Sequence, residues 1–198
     1  METIEIHGMS RGAFLVRGAL ATSAAVGAAS VGPWVTRALA QDGGGDIDIL
    51  NFALTLEYLE ADFYKQAGKL SLNGRYRSLA KEFGAHEQEH VDALVATIMQ
   101  LGGRPAKKPA FAFGLKTQKD FEKLAITLED TGVSAYNGAA PMIKSTEVLA
   151  AAGSIVQVEA RHAAALRFLG GISPTKGAFD QTLSADAVLK AVKPLIKA

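Results

Sequence analysis

The chain has 198 residues, 48% of them hydrophobic and 21% charged, which suits one globular domain with a sizeable core and not two. Its 21 Lys and Arg nearly balance its 20 Asp and Glu, so the charge does not favour nucleic acid, and no nucleic-acid partner is expected. The lack of cysteine excludes disulfides and thiolate metal sites, so any metal must be held by histidine and carboxylate side chains.

Residues 1–40 have the features of an export signal peptide. Arg11 and Arg17 precede an uncharged run over residues 18–36, and the small-x-small sequence at residues 38–40 predicts cleavage after Ala40. The run is just long enough to span a bilayer, so an uncleaved anchor is the alternative. Its high content of Ala and Gly favours a cleaved signal. The mature chain, residues 41–198, is therefore expected to be periplasmic or extracellular, with no stable membrane span.

The start of this signal leaves two questions open. Residues 10–16 are similar to a twin-arginine export signal, but Gly12 replaces the second arginine, so the general secretory route is the alternative. Acidic Glu2 and Glu5 are unusual in a signal, which makes Met9 an alternative start to Met1.

The mature chain carries apolar residues at helical spacing and no segment with the alternation of a β-strand. Asp46 is the predicted N-cap of the first helix, and Gly102 and Gly103 end the second. The predicted class is all-α: a four-helix bundle with a short C-terminal fifth helix. The predicted ranges are about 46–69, 75–101, 117–140, 145–169 and 184–193.

A repeat relates the first helix pair to the second. Helices one and three each carry a Leu-Glu pair with a tyrosine seven residues after the glutamate, and helices two and four each carry Glu-x-x-His. Each residue of the second pair lies 72 positions after its counterpart, so the bundle is two copies of one helix pair. The counterparts are Glu57 and Glu129, Glu87 and Glu159, His90 and His162, and Tyr64 and Tyr136.

The repeated residue types point to a dinuclear metal site. Residues three apart lie on one helix face, so Glu-x-x-His aims a carboxylate and an imidazole at one point. Two such helices, with two more that each offer a glutamate, provide the ligand set of di-iron and di-manganese bundles. Oxygen and imidazole ligands suit Fe or Mn, and two divalent ions neutralise four glutamates. The predicted ligands of the two ions are Glu57, Glu87, His90, Glu129, Glu159 and His162.

This ligand pattern resembles that of ferritin-like proteins, which include bacterioferritin, rubrerythrin and manganese catalase. Residues 51–64, 127–136, 158–164 and 178–189 are more closely similar to the exported ferritin-like domain of desiccation-associated proteins. The resemblance implies a ferritin-like fold for residues 41–198. It also implies that Glu87 and Glu159 bridge the metals, that Glu57 and Glu129 are terminal ligands, and that each metal has one histidine. It implies no particular reaction.

Residues 86–90 also match H-E-x-x-H, the helix motif of zinc metalloproteases, in which two histidines bind zinc and the glutamate activates water. Three features oppose this alternative. No strand precedes the helix, the charged Glu89 lies inside the motif, and the counterpart of His86 in the repeat is Val158. The protease is therefore only a remote alternative.

Four further residues are predicted near the ligands. Glu60 has Gly132 as its counterpart, and the favoured interpretation is a partly exposed helix charge. His86 is interpreted as a hydrogen-bonded inner residue. A place beside the ligands or on a path to them is the alternative for both. Tyr64 and Tyr136 are predicted to hydrogen-bond the ligands, with ordinary core tyrosines as the alternative.

Three functions fit this site. The first is a redox enzyme in which two Fe or Mn ions react with O₂ or peroxide. The second is a protein that binds or sequesters metal without turnover. The third is a structural stress protein of the desiccation type that makes little use of metal. A homo-oligomer is left open, and the sequence does not choose among the three functions.

Overall fold

The structure is a computed structural model that describes residues 45–197. The predicted signal over residues 1–40 and its cleavage after Ala40 lie outside the described residues. None of the helices that the structure describes is both long enough and apolar enough to cross a bilayer. The helices are α1 (Asp46–Ala67), α2 (Gly74–Gln100), α3 (Gln118–Ala139), α4 (Thr146–Leu169) and α5 (Ala185–Val192), with 3₁₀ turns at Ala140–Met142 and Lys193–Leu195.

The predicted all-α class is confirmed, and side-chain caps explain most helix starts. Asn73 accepts a hydrogen bond from the backbone N–H of Tyr76 at the start of α2. Thr117 and Asp120 form a capping box at the start of α3. Ser145 and Ser184 cap α4 and α5. Each cap satisfies backbone donors that the first helical turn leaves free.

The prediction that Asp46 caps α1 is wrong. Gly45 is the N-cap, and Asp46 is the first helical residue. Its carboxylate instead accepts hydrogen bonds from the backbone N–H groups of Lys144 and Ser145, both at 2.8 Å. These donors belong to the turn before α4, so Asp46 joins the start of α1 to the start of α4.

The bundle consists of two helix pairs, with α1 packed along α2 and α3 packed along α4. The fifth helix lies against α3 and buries Val188, Leu189 and Val192. The segment after α5 then pairs with the loop between α2 and α3, where Phe111 and Ile196 form an isolated antiparallel bridge. The C-terminal segment therefore fixes the long loop against the bundle.

The two ends of the bundle have different cores. The end that holds the C-terminus of α1 is aromatic, and Phe63 stacks on Phe121 and meets Phe113 edge-on. The opposite end is aliphatic and contains Leu50, Leu54, Leu94, Ile98 and Ile155. The difference matters because the candidate site lies between the two ends.

An ion pair fixes α3 to α4 at the edge of the aromatic core. Asp130 of α3 contacts Arg167 of α4 and Lys176 of the following loop. Arg167 is only 6% exposed. Asp130→Ala is expected to lower the free energy of unfolding by about 2 kcal/mol, because it leaves the guanidinium buried without its carboxylate. Urea unfolding measures this loss.

Lys176→Ala is the matched control, since it removes the other partner of the same carboxylate. The Lys176 side chain is 48% exposed, so its loss is expected to change the free energy of unfolding by less than about 1 kcal/mol. If Asp130→Ala and Lys176→Ala lowered the free energy of unfolding equally, burial of Arg167 would not explain the strength of the Asp130–Arg167 ion pair.

Candidate metal centre

Each of the four long helices contributes to one buried polar cluster at the middle of the bundle. Glu57 lies on α1, Glu129 on α3, and the two Glu-x-x-His motifs on α2 and α4. All four glutamates are fully buried, and both histidines are buried as well. The structure thus brings together the whole predicted ligand set: Glu57, Glu87, His90, Glu129, Glu159 and His162.

The six residues form two overlapping groups. One group holds Glu57, Glu87, His90 and Glu159, and in each group the candidate ligand atoms lie within 4.8 Å of one another. The other group keeps Glu87 and Glu159 and adds the two remaining residues. Glu87 and Glu159 therefore belong to both groups, which is the placement that bridging ligands require. The second group is Glu87, Glu129, Glu159 and His162.

One nitrogen of each histidine faces several carboxylates. His90 Nδ1 is 2.9 Å from Glu87 Oε2, 3.1 Å from Glu159 Oε1 and 3.2 Å from Glu57 Oε2. His162 Nδ1 is 2.9 Å from Glu87 Oε1 and 3.3 Å from Glu129 Oε2. Each Nδ1 and its neighbouring oxygens therefore point at one small volume.

Several of these atoms lack a hydrogen-bond partner within residues 45–197. Both carboxylate oxygens of Glu159 are unpartnered, as is Oε2 of Glu129. His162 Nδ1 and Glu87 Oε1 are also unpartnered, because their close approach does not have hydrogen-bond geometry. Buried polar atoms are costly without a partner, and a cation would satisfy all of these at once. The oxygen and imidazole donors fit Fe or Mn.

Burial and mutual repulsion govern the ionisation of the glutamates. Burial raises the pKa of Glu57 to about 7 and also raises the pKa of Glu129. The pKa of Glu159 is raised well above its ordinary range by burial and by the charge of Glu87. Burial acts to raise the pKa of Glu87 too, but contacts with both histidines lower it to about 2. Without a cation, part of the cluster is therefore protonated at neutral pH.

The carboxylates in turn favour the charged histidines. Burial acts to lower the pKa of His90, but its contacts with Glu159, Glu57 and Glu87 raise that pKa to about 12. Burial also opposes the charge on His162, whose pKa is raised to about 9 by contacts with Glu129 and Glu87. A metal ion takes the place of these protons, since it binds neutral imidazole and ionised carboxylate.

Two tyrosines link the halves of the repeat. Tyr64 of α1 donates a hydrogen bond to Glu129 of α3. Tyr136 of α3 donates to Glu57 Oε1 of α1 at 2.5 Å. Each tyrosine therefore hydrogen-bonds the glutamate that lies on the first helix of the other pair. This contact orients a candidate metal ligand.

Glu60 is not the partly exposed charge that its missing counterpart suggested. It is only 2% exposed, and its Oε2 has no hydrogen-bond partner among the described residues. A Cβ built at Gly132 would lie 3.2 Å from Glu60 Oε1 and 3.4 Å from Glu159 Oε2. The glycine therefore leaves the space into which Glu60 turns, beside the cluster. Burial, with the charge of Glu159, raises its pKa well above the ordinary value.

His86 is partly buried and contacts the far side of the His162 ring. Its Nδ1 is 2.9 Å from His162 Nε2, and the two rings stack with centroids 5.2 Å apart. A zinc protease motif would aim His86 and His90 at one ion, but His86 belongs to neither candidate group. His86 therefore orients His162, and the geometry does not support the protease alternative.

A cleft between α2 and α4 leads from the surface to the histidines. Its volume is about 460 Å³, and Phe83, His86, His90 and His162 line its inner part. Glu82, Glu89 and Arg161 contribute charged groups to its walls. Ions and polar molecules can reach the edge of the cluster through this cleft.

A bundle in which two helices give one glutamate each, and two give Glu-x-x-His, has the architecture of ferritin-like proteins. The model of the ferritin-like domain family matches residues 45–171, which is more than half of the chain. The chain therefore belongs to the ferritin-like domain family. No curated protein matches the sequence.

The fold is shared with solved structures, among them these two. A conserved hypothetical protein, rv2844, from Mycobacterium tuberculosis is 17% identical, with a TM-score of 0.59 and coverage of 65% of this chain and 99% of that chain. A protein from Bacillus anthracis str. Ames described as ferritin-like and diiron-carboxylate is 21% identical, with a TM-score of 0.57 and coverage of 70% and 99%. At these identities the likeness establishes the fold alone.

Proposed function

We propose that the protein binds two Fe or Mn ions in the six-residue cluster and that the ions react with O₂ or hydrogen peroxide. The observation that carries this proposal is the pair of overlapping ligand groups that share Glu87 and Glu159. The description of the Bacillus anthracis protein as a diiron-carboxylate protein supports it. So does the charge, because two divalent ions balance four buried glutamates.

The chain provides the surroundings that such a pair needs. Glu87 and Glu159 belong to both ligand groups, and each group has one further glutamate and one histidine. Tyr64, Tyr136 and His86 fix the orientation of ligands through hydrogen bonds. Complete burial of the carboxylates would exclude bulk water from between bound ions, which would strengthen the electrostatic contacts there.

The chemistry that bound ions would supply is the transfer of electrons to O₂ or hydrogen peroxide. Two bound ferrous ions would supply one electron each, which with two protons would reduce O₂ to hydrogen peroxide. With hydrogen peroxide as the oxidant, the same two electrons and two protons would give two water molecules. The cleft between α2 and α4, whose walls carry charged side chains, gives hydrogen peroxide and protons a path to the histidines.

We also propose where the protein acts. The signal-like residues 1–40 support export of a mature chain that starts at Gln41. The resemblance to desiccation-associated proteins supports a role in protection against oxidative stress outside the cytoplasm. A metal-binding protein without turnover is the second candidate, because the same two ligand groups would hold the ions whether or not a reaction follows.

The test is metal analysis followed by an oxidation assay. The purified protein is loaded with Fe²⁺ or Mn²⁺ without oxygen, desalted and analysed by mass spectrometry, then mixed with O₂ or hydrogen peroxide. We expect about two ions per chain and oxidation of both. Two ions without oxidation would favour the second candidate, and fewer than about one ion per chain would contradict both.

A matched pair of variants separates ligation from general charge. Glu87→Gln removes a buried carboxylate shared by both groups, whereas Glu89→Gln makes the same change two residues away on the exposed side of α2. Glu87→Gln is expected to lose both ions, and Glu89→Gln is expected to keep them. Equal metal content in the two variants would exclude the cluster as the binding site.

A further inference from the structure

The aliphatic end of the bundle is hollow. A cavity of about 40 Å³ lies between the four long helices and is lined almost wholly by apolar atoms. A water molecule needs roughly 10–15 Å³ of such volume, so the cavity has room for two or three small atoms. Its walls include Leu50, Ala53, Leu94, Tyr136, Ala152 and Ile155.

This cavity is about one helical turn from the candidate metal centre on three helices. Ala53 precedes Glu57 by four residues on α1, Leu94 follows His90 by four on α2, and Ile155 precedes Glu159 by four on α4. One turn of helix is about 5.4 Å long. On α3, Tyr136 is both part of the cavity wall and the hydrogen-bond donor to Glu57. The tyrosine therefore separates the cavity from the cluster.

The same position in the other half of the repeat is filled. Tyr64 has Phe63, Phe83 and Phe121 around it, with ring centroids 5.1, 5.9 and 6.1 Å away. Beside Tyr64, these rings fill the space that corresponds, through the repeat, to the cavity beside Tyr136. The two tyrosines of the repeat therefore have different surroundings, since aromatic rings surround Tyr64 and the apolar cavity lies beside Tyr136.

We propose that this cavity binds dioxygen and supplies it to the metal pair past Tyr136. Dry apolar cavities in proteins bind apolar molecules and gases such as xenon. Dioxygen is small and apolar and loses no hydrogen bonds when it leaves water. Hydrogen peroxide would lose such bonds, so we expect it to reach the centre through the cleft between α2 and α4, where charged and imidazole side chains can replace them. The delivery step rests on the function proposed above, whereas gas binding does not.

Xenon is the probe for the first part of the test. Ala152→Leu places three extra carbon atoms into the cavity from α4. Ala150→Leu makes the same change two residues away, on the exposed side of the helix. We expect xenon to shift the NMR signals of methyl groups around the cavity in the metal-free wild type and in Ala150→Leu, and not in Ala152→Leu. If the wild type shows no such shifts, there is no gas site. Should Ala152→Leu fail to fold, Ala53→Val narrows the cavity from α1.

Oxidation kinetics test delivery. Each protein is loaded with Fe²⁺, its metal content is checked, and the oxidation rate is measured separately with O₂ and with hydrogen peroxide. Ala152→Leu is expected to slow oxidation by O₂ severalfold and to leave oxidation by hydrogen peroxide unchanged, while Ala150→Leu changes neither. An unchanged O₂ rate in a variant that has lost xenon binding would overturn the proposal. Absence of metal or of any oxidation in the wild type would instead count against the proposed function, and the xenon result would still decide the gas site.

Discussion

Replacing Glu159 with glutamine is expected to eliminate tight binding of both metal ions, whereas replacing Glu57 with glutamine removes only one. Glu159 belongs to both ligand groups, and Glu57 belongs to one. Glutamine preserves the size of the side chain but has no charge and is a poor metal ligand. Calorimetric titration with Mn²⁺ or Co²⁺ measures how many ions each variant binds per chain. Equal losses in the two variants would contradict the shared position of Glu159.

The order of stability among the wild type and these variants is expected to differ with and without metal ions. A ligand at about 1,000 times its Kd stabilises the folded state by about 4 kcal/mol per site, so wild-type protein gains up to about twice that from two ions. Glu57→Gln is expected to gain about half as much, and Glu159→Gln very little. Denaturant unfolding with and without Mn²⁺ measures these differences.

Without metal, Glu159→Gln is expected to be at least as stable as the wild type. Glu159 is fully buried, and neither of its carboxylate oxygens has a hydrogen-bond partner among the described residues. Burial raises its pKa well above the ordinary value, so folding without a cation carries the cost of protonating this side chain, which glutamine does not. A residue with a purely structural role would behave differently. If Glu159→Gln lowered the stability equally with and without Mn²⁺, its role would be packing and not metal binding.

The candidate ligands could be predicted from the sequence because helical spacing determines which side chains share a face. Glu-x-x-His on two helices and single glutamates on two others converge whenever the helices form a bundle. The repeat at 72 positions then separates Glu87 and His90 from the neighbouring His86. Helical spacing and the packing of the helices into a bundle are enough to bring the six residues together, as the structure shows.

The same repeat led to the wrong expectation for Glu60. Because Gly132 stands at the counterpart position, Glu60 is predicted to be a partly exposed helix charge. The structure shows instead that the small glycine makes room for the Glu60 side chain. Such a complementary change spans two helices and has no local pattern. Glu60 lies three residues after Glu57, so helical spacing places the two on one face of α1.

Contacts between segments that are far apart in the chain could not be predicted from the sequence either. Asp46 has the residue type and position of a helix cap, yet its carboxylate bonds to residues 144 and 145, which become its neighbours only when the bundle forms. The apolar cavity depends on how the side chains of four helices meet. Neither feature has a periodicity that a single helix could reveal.

Gly138→Ala is expected to lower the free energy of unfolding by about 3 kcal/mol, at the upper end of the usual cost of overpacking. The segment before α5 crosses α3 at this glycine, and the backbone N–H of Leu183 donates to the carbonyl oxygen of Ser134 at 3.1 Å. A Cβ at Gly138 would overlap the backbone carbonyl oxygen of Leu183. A backbone atom cannot rotate away as a side chain can, so the whole segment must move.

Gly153→Ala on α4 is the matched control, because a Cβ built there meets nothing within 4 Å. Alanine favours a helix over glycine by about 1 kcal/mol, so this variant is expected to be more stable than the wild type. Both variants replace a helical glycine with alanine, so the difference between them reports mainly the contact of α3 with Leu183. Thermal and urea unfolding measure it. If the two variants were equally stable, the C-terminal segment would contribute little to the fold, since releasing it from α3 would have no cost.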